Sequence, residues 1–481
     1  DYGGSVENRA RIVLEIGRAI RAEVGRDFPV SLKLSPQEQV GEAGMTPDRA
    51  AEFATLFHAS GLFDLFSISG VYHNRPTMIA PMTAEIEAPF ADDAATIKAV
   101  VGDTPIMVTG SIRTLDLASQ IISAGKADLV GMTRMQIADP DLVRRAQGAT
   151  GVPAQRRCVG ANQGCWRRIM QASMITCTVN PVVGREVLGW DSSNLPPLDS
   201  GLKVLVVGAG AAGLEAAAST AGRGAKVVLI DRANEIGGAL RFAGALPQRR
   251  RWLDLIEDMG APLEGLGIET RLGVNVTPAV VDEVNPDVVL VATGASWDTS
   301  GASGHRPDRP GIPRSADARV FTPIEAMTDL DSLGDEVLIV DEHGTYTPLG
   351  LAKLIVDTGR RVQVLSLTAT PGSGLGTAGT ADLPYILPEL LERGVKFHTQ
   401  AFVEYIDADS VSITTVLGGP ERLSATSVVL VMNRIANESL FHELHATGKR
   451  VRRIGDGLSP REVDDAIFEG RKAALELEMI R

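Results

Sequence analysis

Residues 204–217 read VLVVGAGAAGLEAA, an apolar run followed by three glycines with the spacing G-x-G-x-x-G and then by an alanine-rich stretch. The apolar run predicts a buried strand and the alanine-rich stretch predicts a helix, joined by a tight turn. In such a turn Gly208 allows the sharp change of direction, Gly210 lets a pyrophosphate approach the backbone, and Gly213 lets the helix pack closely on the strand. Because the N-terminus of the helix attracts phosphates, the stretch predicts a dinucleotide-binding turn.

The residues that follow this turn fit the same nucleotide-binding domain. A second predicted strand, residues 226–230, ends at Asp231, at the distance where an acid accepts hydrogen bonds from an adenosine ribose. An acid at this place favours ribose hydroxyls over a 2′-phosphate. Gly238, within the run EIGG, and the pair Thr293-Gly294 after a third strand also fit, although each occurs in ordinary turns. The alternative is a tightly packed strand-turn-helix unit that binds no nucleotide.

A second unit of the same kind begins near residue 336 and looks inserted in the first. Its turn, residues 341–350, keeps only two glycines, and Asp341 and Glu342 stand where an anionic phosphate would need room. A nucleotide site and a purely structural sheet are therefore both open for this unit. The glycine-rich loop at residues 371–376 is either part of a cofactor cleft or an ordinary mobile loop.

The first 150 residues alternate helix and strand patterns, which predicts four βα units and a parallel sheet. Two successive loops, Gly110-Ser111 and the run from Gly131 to Arg134, follow strands where the paired loops of a barrel hold a phosphate. Arg134 would supply charge-assisted bonds to that phosphate. The alternative is a surface arginine at the end of a strand.

Three further residues of this region are candidate site residues. Lys33 lies within a predicted buried strand, residues 28–34, where an unpaired ammonium is costly, so we expect it to face an anion. Tyr72 and His73 follow a strand at its carboxyl end, the side on which such barrels carry their catalytic residues. His73 is equally compatible with a structural role and with substrate contact or proton transfer.

The three cysteines of the chain, Cys158, Cys165 and Cys177, fall within 20 residues, which indicates a shared role. No histidine lies between residues 74 and 304 to complete a local zinc site with them. The odd number of cysteines disfavours disulfides. Ligation of iron and sulfide by the thiolates is one interpretation, and a zinc-bearing or vestigial loop is the other.

Composition bounds the class of protein. The 481 residues are 44% hydrophobic, enough for about three domains with cores of their own. Lys and Arg number 47 against 60 Asp and Glu, a net charge of −13 without a basic run, so we expect no nucleic-acid partner. No apolar stretch is long enough for a membrane span. We expect a soluble, cytoplasmic protein that acts on a small molecule, with a homo-oligomer as an open alternative.

Seven runs together resemble the multidomain members of the Old Yellow Enzyme family, the group that contains 2,4-dienoyl-CoA reductase and trimethylamine dehydrogenase. The runs, in chain order, are DYGGSVENRARI (1–12), VSLKLSP (30–36), VGMTRMQIADPDL (130–142), CVGANQGC (158–165), CTVNPVVGRE (177–186), VVGAGAAGLEAA (206–217) and IGDG (454–457). The resemblance covers essentially the whole chain. It implies an α/β fold in which an FMN-bearing TIM barrel is followed by a 4Fe-4S segment and two nucleotide-binding domains of the disulfide-reductase type.

The resemblance also implies domain boundaries. Residues 1–150 would be the C-terminal half of the FMN-binding barrel, strands five to eight, and residues 151–200 the iron–sulfur segment and linker. Residues 201–330 with 430–481 would bind FAD or ADP, and residues 331–429 would form an inserted NAD(P)-binding-like domain. Since the chain starts at Asp1, just before the fifth strand of the family's barrel, we expect a fragment or a processed form.

Residue roles follow from the same resemblance. Gly110, Ser111, Gly131 and Arg134 match the FMN phosphate loops, Lys33 matches a cation at the pyrimidine edge of the flavin, and His73, with Tyr72 beside it, matches a substrate-site histidine. The residues that match the FAD or ADP site are Gly208, Gly210, Gly213, Asp231, Gly238, Thr293, Gly294, Gly455 and Asp456. The residues that match cluster ligands are Cys158, Cys165 and Cys177.

Three departures from the family pattern bear on function. Ala161 stands where the family has its second cluster cysteine, so a 4Fe-4S cluster, a 3Fe-4S cluster, a fourth ligand from water or Asn162, and no cluster all stay open. Lys33 replaces the commoner arginine, keeping the charge without the planar fork. The acidic turn at Asp341 is closer to the amine dehydrogenases than to the NADPH-binding reductases.

The resemblance implies a flavin- and Fe-S-dependent oxidoreductase that uses NAD(P)H to reduce an activated C=C bond, with electrons passing through FAD, the cluster and FMN. The alternative within enzymes is an amine dehydrogenase that passes electrons from a methylated amine to an electron-transfer flavoprotein. The alternative of another class is an inactive FAD-binding scaffold.

Overall fold

The computed structural model describes residues 2–38, 40–70, 81–190 and 196–480 of the chain. The chain forms two compact units, Asp1–Pro140 and Asp141–Arg481. Both units contain parallel strands joined by helices, so the predicted α/β class is confirmed. Among the helices of these ranges, none combines the length and the apolar composition that crossing a lipid bilayer requires.

The first unit alternates helices and strands. Its elements are α1 (Val6–Val24), β1 (Ser31–Leu34), α2 (Pro47–Ala59), β2 (Leu65–Ile68), α3 (Ala91–Lys98), β3 (Ile106–Thr109), α4 (Leu115–Ser123), β4 (Leu129–Gly131) and α5 (Thr133–Ala138). The strands form a parallel sheet of order β1-β2-β3-β4. Helices α1, α2 and α4 begin where Ser5, Thr46 and Thr114 accept a backbone N–H of the first turn.

The strand β1 differs from the sequence prediction. It is shorter than the predicted strand 28–34, and Phe28 is exposed. In the described chain β1 pairs only with β2, and its residues alternate between exposed and half-buried. Lys33 is one of the exposed residues. In the described chain Lys33 thus lies exposed on a strand with one partner and not in the buried strand that we predicted, and its predicted contact with an anion stays a prediction.

The second unit begins with two short helices, α6 (Leu142–Ala146) and α7 (Trp166–Met170), in otherwise irregular chain. A parallel sheet of order β19-β8-β5-β6-β7 follows, and its central strands are buried apart from the half-buried Lys203 at the start of β5. Its elements are β5 (Lys203–Val207), α8 (Ala211–Gly222), β6 (Lys226–Ile230), α9 (Ala239–Ala245), α10 (Arg251–Gly260), α11 (Pro262–Gly265), β7 (Glu269–Arg271), α12 (Pro278–Val284), β8 (Val288–Val291), α16 (Ser439–Ala446), β19 (Val451–Arg453) and α17 (Val463–Leu475).

A second parallel sheet, of order β10-β17-β11-β12-β13, lies within the same unit. Its elements are β10 (Val320–Phe321), α13 (Pro323–Thr328), β11 (Glu336–Asp341), α14 (Tyr346–Val356), β12 (Arg361–Ser366), α15 (Leu383–Glu392), β13 (Lys396–Thr399) and β17 (Ser427–Val431). An antiparallel meander covers one face through a shared apolar cluster, with strands β14 (Ala401–Ile406), β15 (Ser410–Thr415) and β16 (Gly419–Ser424).

A two-stranded antiparallel ribbon joins the two sheets of the second unit. It consists of β9 (Ala295–Trp297) and β18 (Arg434–Ala436), which pair with each other. Every strand of the second sheet and of the meander lies between β9 and β18 in the chain. The chain therefore leaves the first sheet after β8, builds the whole second sheet, and returns through β18 to finish the first sheet with β19.

Candidate functional site

The glycine turn after β5 is packed so closely that two of its glycines have no room for a side chain. A Cβ at Gly208, whose φ is +109°, would lie 2.2 Å from the carbonyl oxygen of Ala292, and one at Gly213 would lie 1.8 Å from the carbonyl oxygen of Gly208. A Cβ at Gly210 would meet nothing within 4 Å. Two glycines thus close the turn, and the third leaves an open approach to the N-terminus of α8, as a bound pyrophosphate requires.

Asp231 lies directly after β6 and holds this turn. Its carboxylate accepts the backbone N–H of Ala209 at 2.5 Å and that of Ala233 at 2.7 Å. The acid predicted to bind a ribose is therefore engaged by the turn itself. Gly238, with φ +52°, approaches the same turn, since a Cβ there would lie 3.1 Å from the Cα of Gly210.

The other predicted nucleotide-binding residues meet at the same end of the first sheet. A Cβ at Gly455 would lie 2.6 Å from that of Ala212 on α8. The Asp456 carboxylate accepts Arg434 Nη1 at 2.6 Å and the N–H of Arg461 at 2.9 Å. Thr293 and Gly294 lie beside Gly457, where a Cβ would be 3.2 Å from Thr293 Oγ1. This cradle fits the adenosine diphosphate part of FAD, which when bound would supply hydride and electron transfer.

In the first unit the phosphate-loop residues come together at one edge of the sheet. Thr109 and Gly131 are register partners on β3 and β4, so the loops that follow these strands are adjacent. Ser111, with φ +47°, has a buried Oγ that no group of the described chain binds. Such an unpaired hydroxyl can donate a hydrogen bond to an oxygen of a phosphate.

The glycines of these loops are also required by close contacts. A Cβ at Gly110 would lie 2.9 Å from the ring of Phe90, and one at Gly131 would lie 2.1 Å from Thr109 Oγ1. Arg134 lies half-buried in the first turn of α5. These residues fit the phosphate of FMN, whose ring would accept or deliver hydride. Tyr72 and His73 lie outside the described residues, so their predicted roles stay predictions.

The corresponding turn of the second sheet is closed by its own acid. Asp341 ends β11 and is 1% exposed, and its Oδ1 accepts the N–H groups of His343 and Gly344 at 2.9 and 2.8 Å. Burial raises the pKa of Asp341 above its ordinary value, against the lowering effect of those N–H groups. The glycine-rich loop also folds onto this turn, since the N–H of Gly374 donates to the carbonyl of Gly344.

The three cysteines lie in a segment that we call the cysteine segment, residues 156–190. Its two halves meet where the N–H of Thr176 donates to the carbonyl of Gly164 at 2.7 Å, and a Cβ at Gly164 would lie 2.8 Å from the backbone of Cys177. Cys177 is half-buried, and its desolvation, followed by the charge of Cys158, raises the pKa of its thiol to about 12.

The donor set of this segment does not fit the four-cysteine cluster that the resemblance implies. Ala161, where the family has its second cluster cysteine, is buried and carries only a methyl group. The neighbouring Asn162 sits in the left-handed region at φ +61° and donates its side-chain amide to the carbonyl of Thr380 at 2.9 Å. Across the part of the chain that the structure describes, no three His, Cys, Asp or Glu side chains are grouped to hold a metal ion.

Two features near these sites are absent from the sequence prediction. Asp464, in the first turn of α17, is a largely buried carboxyl whose pKa is raised to about 6 by burial, with Glu462 and Asp465 adding repulsion. Arg249 and Asp382 form a buried ion pair at 3.2 Å. No local sequence pattern predicts either feature, because each depends on partners that only the fold brings together.

Comparison with known families and proteins identifies the two units. Residues 1–151 match the NADH:flavin oxidoreductase / NADH oxidase family, and residues 202–456 match the pyridine nucleotide-disulphide oxidoreductase family. The chain is 32% identical over 453 residues to the N,N-dimethylglycine/sarcosine dehydrogenase of Chromohalobacter salexigens, covering 92% of this chain and 63% of that protein.

Two further likenesses extend over nearly the whole chain. The NADH oxidase of Thermoanaerobacter brockii is 29% identical over 479 residues, covering 99% of this chain and 71% of that protein. The structure of histamine dehydrogenase from Rhizobium sp. 4-9 matches with a TM-score of 0.91 and 25% identity, covering 99% of this chain and 70% of that one. The chain thus belongs to the pyridine nucleotide-disulphide oxidoreductase family, joined to an NADH:flavin oxidoreductase region, and the predicted flavin-dependent oxidoreductase is confirmed at the level of the family.

Proposed function

We propose that the protein is a flavin-dependent amine dehydrogenase that acts on a secondary or tertiary N-methylated amine. The observation that carries this proposal is the closed turn after β11, where the Asp341 carboxylate already accepts the N–H groups of His343 and Gly344. Those are the groups with which the start of a helix would bind the phosphates of NAD(P)H. NAD(P)H would have to displace a carboxylate that is held by two hydrogen bonds. We therefore propose that the electrons come from the substrate and not from NAD(P)H.

The likeness to known amine dehydrogenases supports the same direction of electron flow. The relative of Chromohalobacter salexigens is a dehydrogenase of N,N-dimethylglycine and sarcosine, and the solved structure of similar fold is a histamine dehydrogenase. FMN held at Gly110, Ser111 and Arg134 would supply the hydride acceptor, so a substrate that gives up a hydride from the carbon next to nitrogen would become an iminium ion. Water then adds to the iminium carbon, and an aldehyde and the demethylated amine are released.

The two electrons have to leave the flavin before another turnover. We propose a soluble electron-transfer flavoprotein as their acceptor. In this protein, the cradle around Gly208, Gly210 and Asp231 would bind FAD or ADP at the open side of the glycine turn.

A second candidate is the reverse flow, in which NAD(P)H reduces an activated C=C bond. The likeness to the NADH oxidase of Thermoanaerobacter brockii favours it, because that relative covers the same two units. For this candidate the turn at Asp341 must open, or the dinucleotide must bind elsewhere.

An anaerobic reduction of the purified, flavin-loaded protein separates the two candidates. N,N-dimethylglycine, NADH and NADPH are added in turn while the flavin absorbance is followed. We expect the methylated amine to bleach the flavin and both dinucleotides to leave it oxidised. Bleaching by NADH or NADPH at a rate that supports turnover would contradict the proposal and establish the second candidate.

Variants of the closed turn test the observation itself. Asp341→Ala frees the two backbone N–H groups, so we expect measurable binding of NADH. The quenching of NADH fluorescence measures this binding. Asp341→Asn keeps an oxygen that accepts the same hydrogen bonds and is the matched control, with no gain of binding expected. If wild type and Asp341→Asn bind NADH as well as Asp341→Ala does, the carboxylate does not close the site.

A further inference from the structure

We propose that the cysteine segment holds no iron–sulfur cluster, and that contacts with the nucleotide-binding domains keep it folded in place of one. We assign the loss of the cluster to Ala161. The inference concerns the segment alone and does not depend on the direction of electron flow.

The first line of argument is the number of donors. A four-iron cluster needs a ligand at each iron, and this segment offers the thiols of Cys158, Cys165 and Cys177. The buried methyl of Ala161 cannot bind iron. Asn162, next to Ala161, donates its side-chain amide to the carbonyl of Thr380.

The second line is the set of charged contacts with the first nucleotide-binding domain. Arg156 pairs at 2.7 Å with Glu215, a carboxylate on α8 that is 1% exposed. The Arg157 guanidinium pairs with Asp258 on α10 at 2.9 Å, and the backbone N–H of Arg157 donates to the same carboxylate at 2.6 Å. Buried carboxylates of this kind are stable only when they are paired, so these pairs fix the start of the segment firmly.

The rest of the segment is anchored equally well. Arg167 pairs with Glu462, and Trp166 donates its indole N–H to the carbonyl of Thr377 at 2.9 Å. At the far end the Arg185 guanidinium lies 4.4 Å from the centroid of the Phe468 ring. These contacts reach both nucleotide-binding domains from the first half of the segment and the first of those domains from its far end. Such a network stabilises the segment without a metal, whereas a small domain that depends on metal binding for its folding energy unfolds when the metal is removed.

The test measures iron and sulfide in protein purified without oxygen and then treated with ferrous iron, sulfide and reductant. For wild type we expect no stoichiometric iron or acid-labile sulfide, and three titratable thiols per chain after denaturation. The variant Ala161→Cys restores the fourth sulfur and should acquire iron and sulfide together. Ala172→Cys, which adds a thiol at an exposed position of the same segment, is the matched control and should acquire none.

Thermal unfolding gives an independent readout. Incubation of wild type with an iron chelator should leave its melting temperature unchanged, because protein contacts hold the segment. Stoichiometric iron and sulfide in wild type, whether three or four irons per chain, would overturn the proposal, and so would a lower melting temperature after chelation. If neither wild type nor Ala161→Cys takes up iron, the assignment to Ala161 is overturned.

Discussion

Asp464 is a residue whose ionisation opposes folding. It lies in the first turn of α17, where one carboxylate oxygen is buried without a hydrogen-bond partner. Burial and the nearby Glu462 and Asp465 raise its pKa from 3.8 to about 6, more than Arg167 and Arg168 lower it. The folded protein therefore binds this proton more tightly than the unfolded chain does. Stability is highest below the unfolded value and falls as pH rises from about 4 to about 6.

We expect Asp464→Asn to stabilise the protein at neutral and alkaline pH. A shift of about two units corresponds to roughly 3 kcal/mol at most, and this cost disappears when the side chain cannot ionise. The free energy of unfolding, measured with urea at pH 4.5 and pH 8, should exceed that of wild type mainly at pH 8. Asp317→Asn, at an exposed loop position, is the control and should behave as wild type. An equal effect of Asp464→Asn at both pH values would contradict the linkage.

At the residue scale the sequence reveals whatever depends on backbone geometry. Gly208 and Gly213 can be assigned from their spacing because a side chain at either place would strike a carbonyl oxygen. Lys33 could not be placed, because the neighbours of a strand, and therefore the exposure of its side chains, depend on the whole sheet. The partners of Asp464 were hidden for the same reason, since Arg167 lies almost 300 residues away in the sequence.

At the scale of elements, the first nucleotide-binding domain depends on the close approach of α8 and α17. Gly470 on α17 lies against the backbone of α8, where a Cβ would be 2.3 Å from the carbonyl oxygen of Ala212 and 3.1 Å from the nitrogen of Ala216. Backbone atoms cannot move aside as side-chain ends can. The helix that starts at the glycine turn and the helix that follows Asp456 are therefore held at a distance that only glycine allows.

We expect Gly470→Ala to separate these helices and to lower the free energy of unfolding by about 1–3 kcal/mol, the usual cost of overpacking. Gly222→Ala is the matched control, because Gly222 ends α8 and a Cβ there would meet nothing within 4 Å. It should raise stability by up to about 1 kcal/mol through helix propensity. Urea unfolding of both variants checks the prediction, which fails if Gly470→Ala is as stable as Gly222→Ala.

Elements were predicted best where one pattern repeats over many residues. The strand before the first glycine turn appears at the predicted residues, as β5, and β11 begins at residue 336 as predicted and runs one residue further, to Asp341, because a buried parallel strand is a continuous apolar run. Alternation with helices likewise predicted the parallel sheet of the first unit. The cysteine segment gave no such signal, since its structure comes from pairs such as Arg157 with Asp258, which are 101 residues apart.

At the scale of the whole second unit, one buried ion pair connects the two nucleotide-binding domains. Arg249, which follows α9, and Asp382, which precedes α15, are 5% and 3% exposed and lie 3.2 Å apart. The Arg249 guanidinium also stacks on Tyr346 at 3.3 Å from the ring centroid. Tyr346 begins α14, the helix that follows the closed turn, so the pair links the first domain directly to that turn.

Removing one member of this pair should destabilise the unit strongly, because the other charge is left buried without its counterion. We expect Arg249→Met and Asp382→Leu each to cost about 3–5 kcal/mol. The double variant Arg249→Met/Asp382→Leu buries no charge at this place, so it should cost much less than the sum of the two single changes. A double-mutant cycle by urea unfolding measures this difference. Additive losses would mean that the two side chains act separately, and that the docking of the domains comes from the surrounding apolar contacts instead.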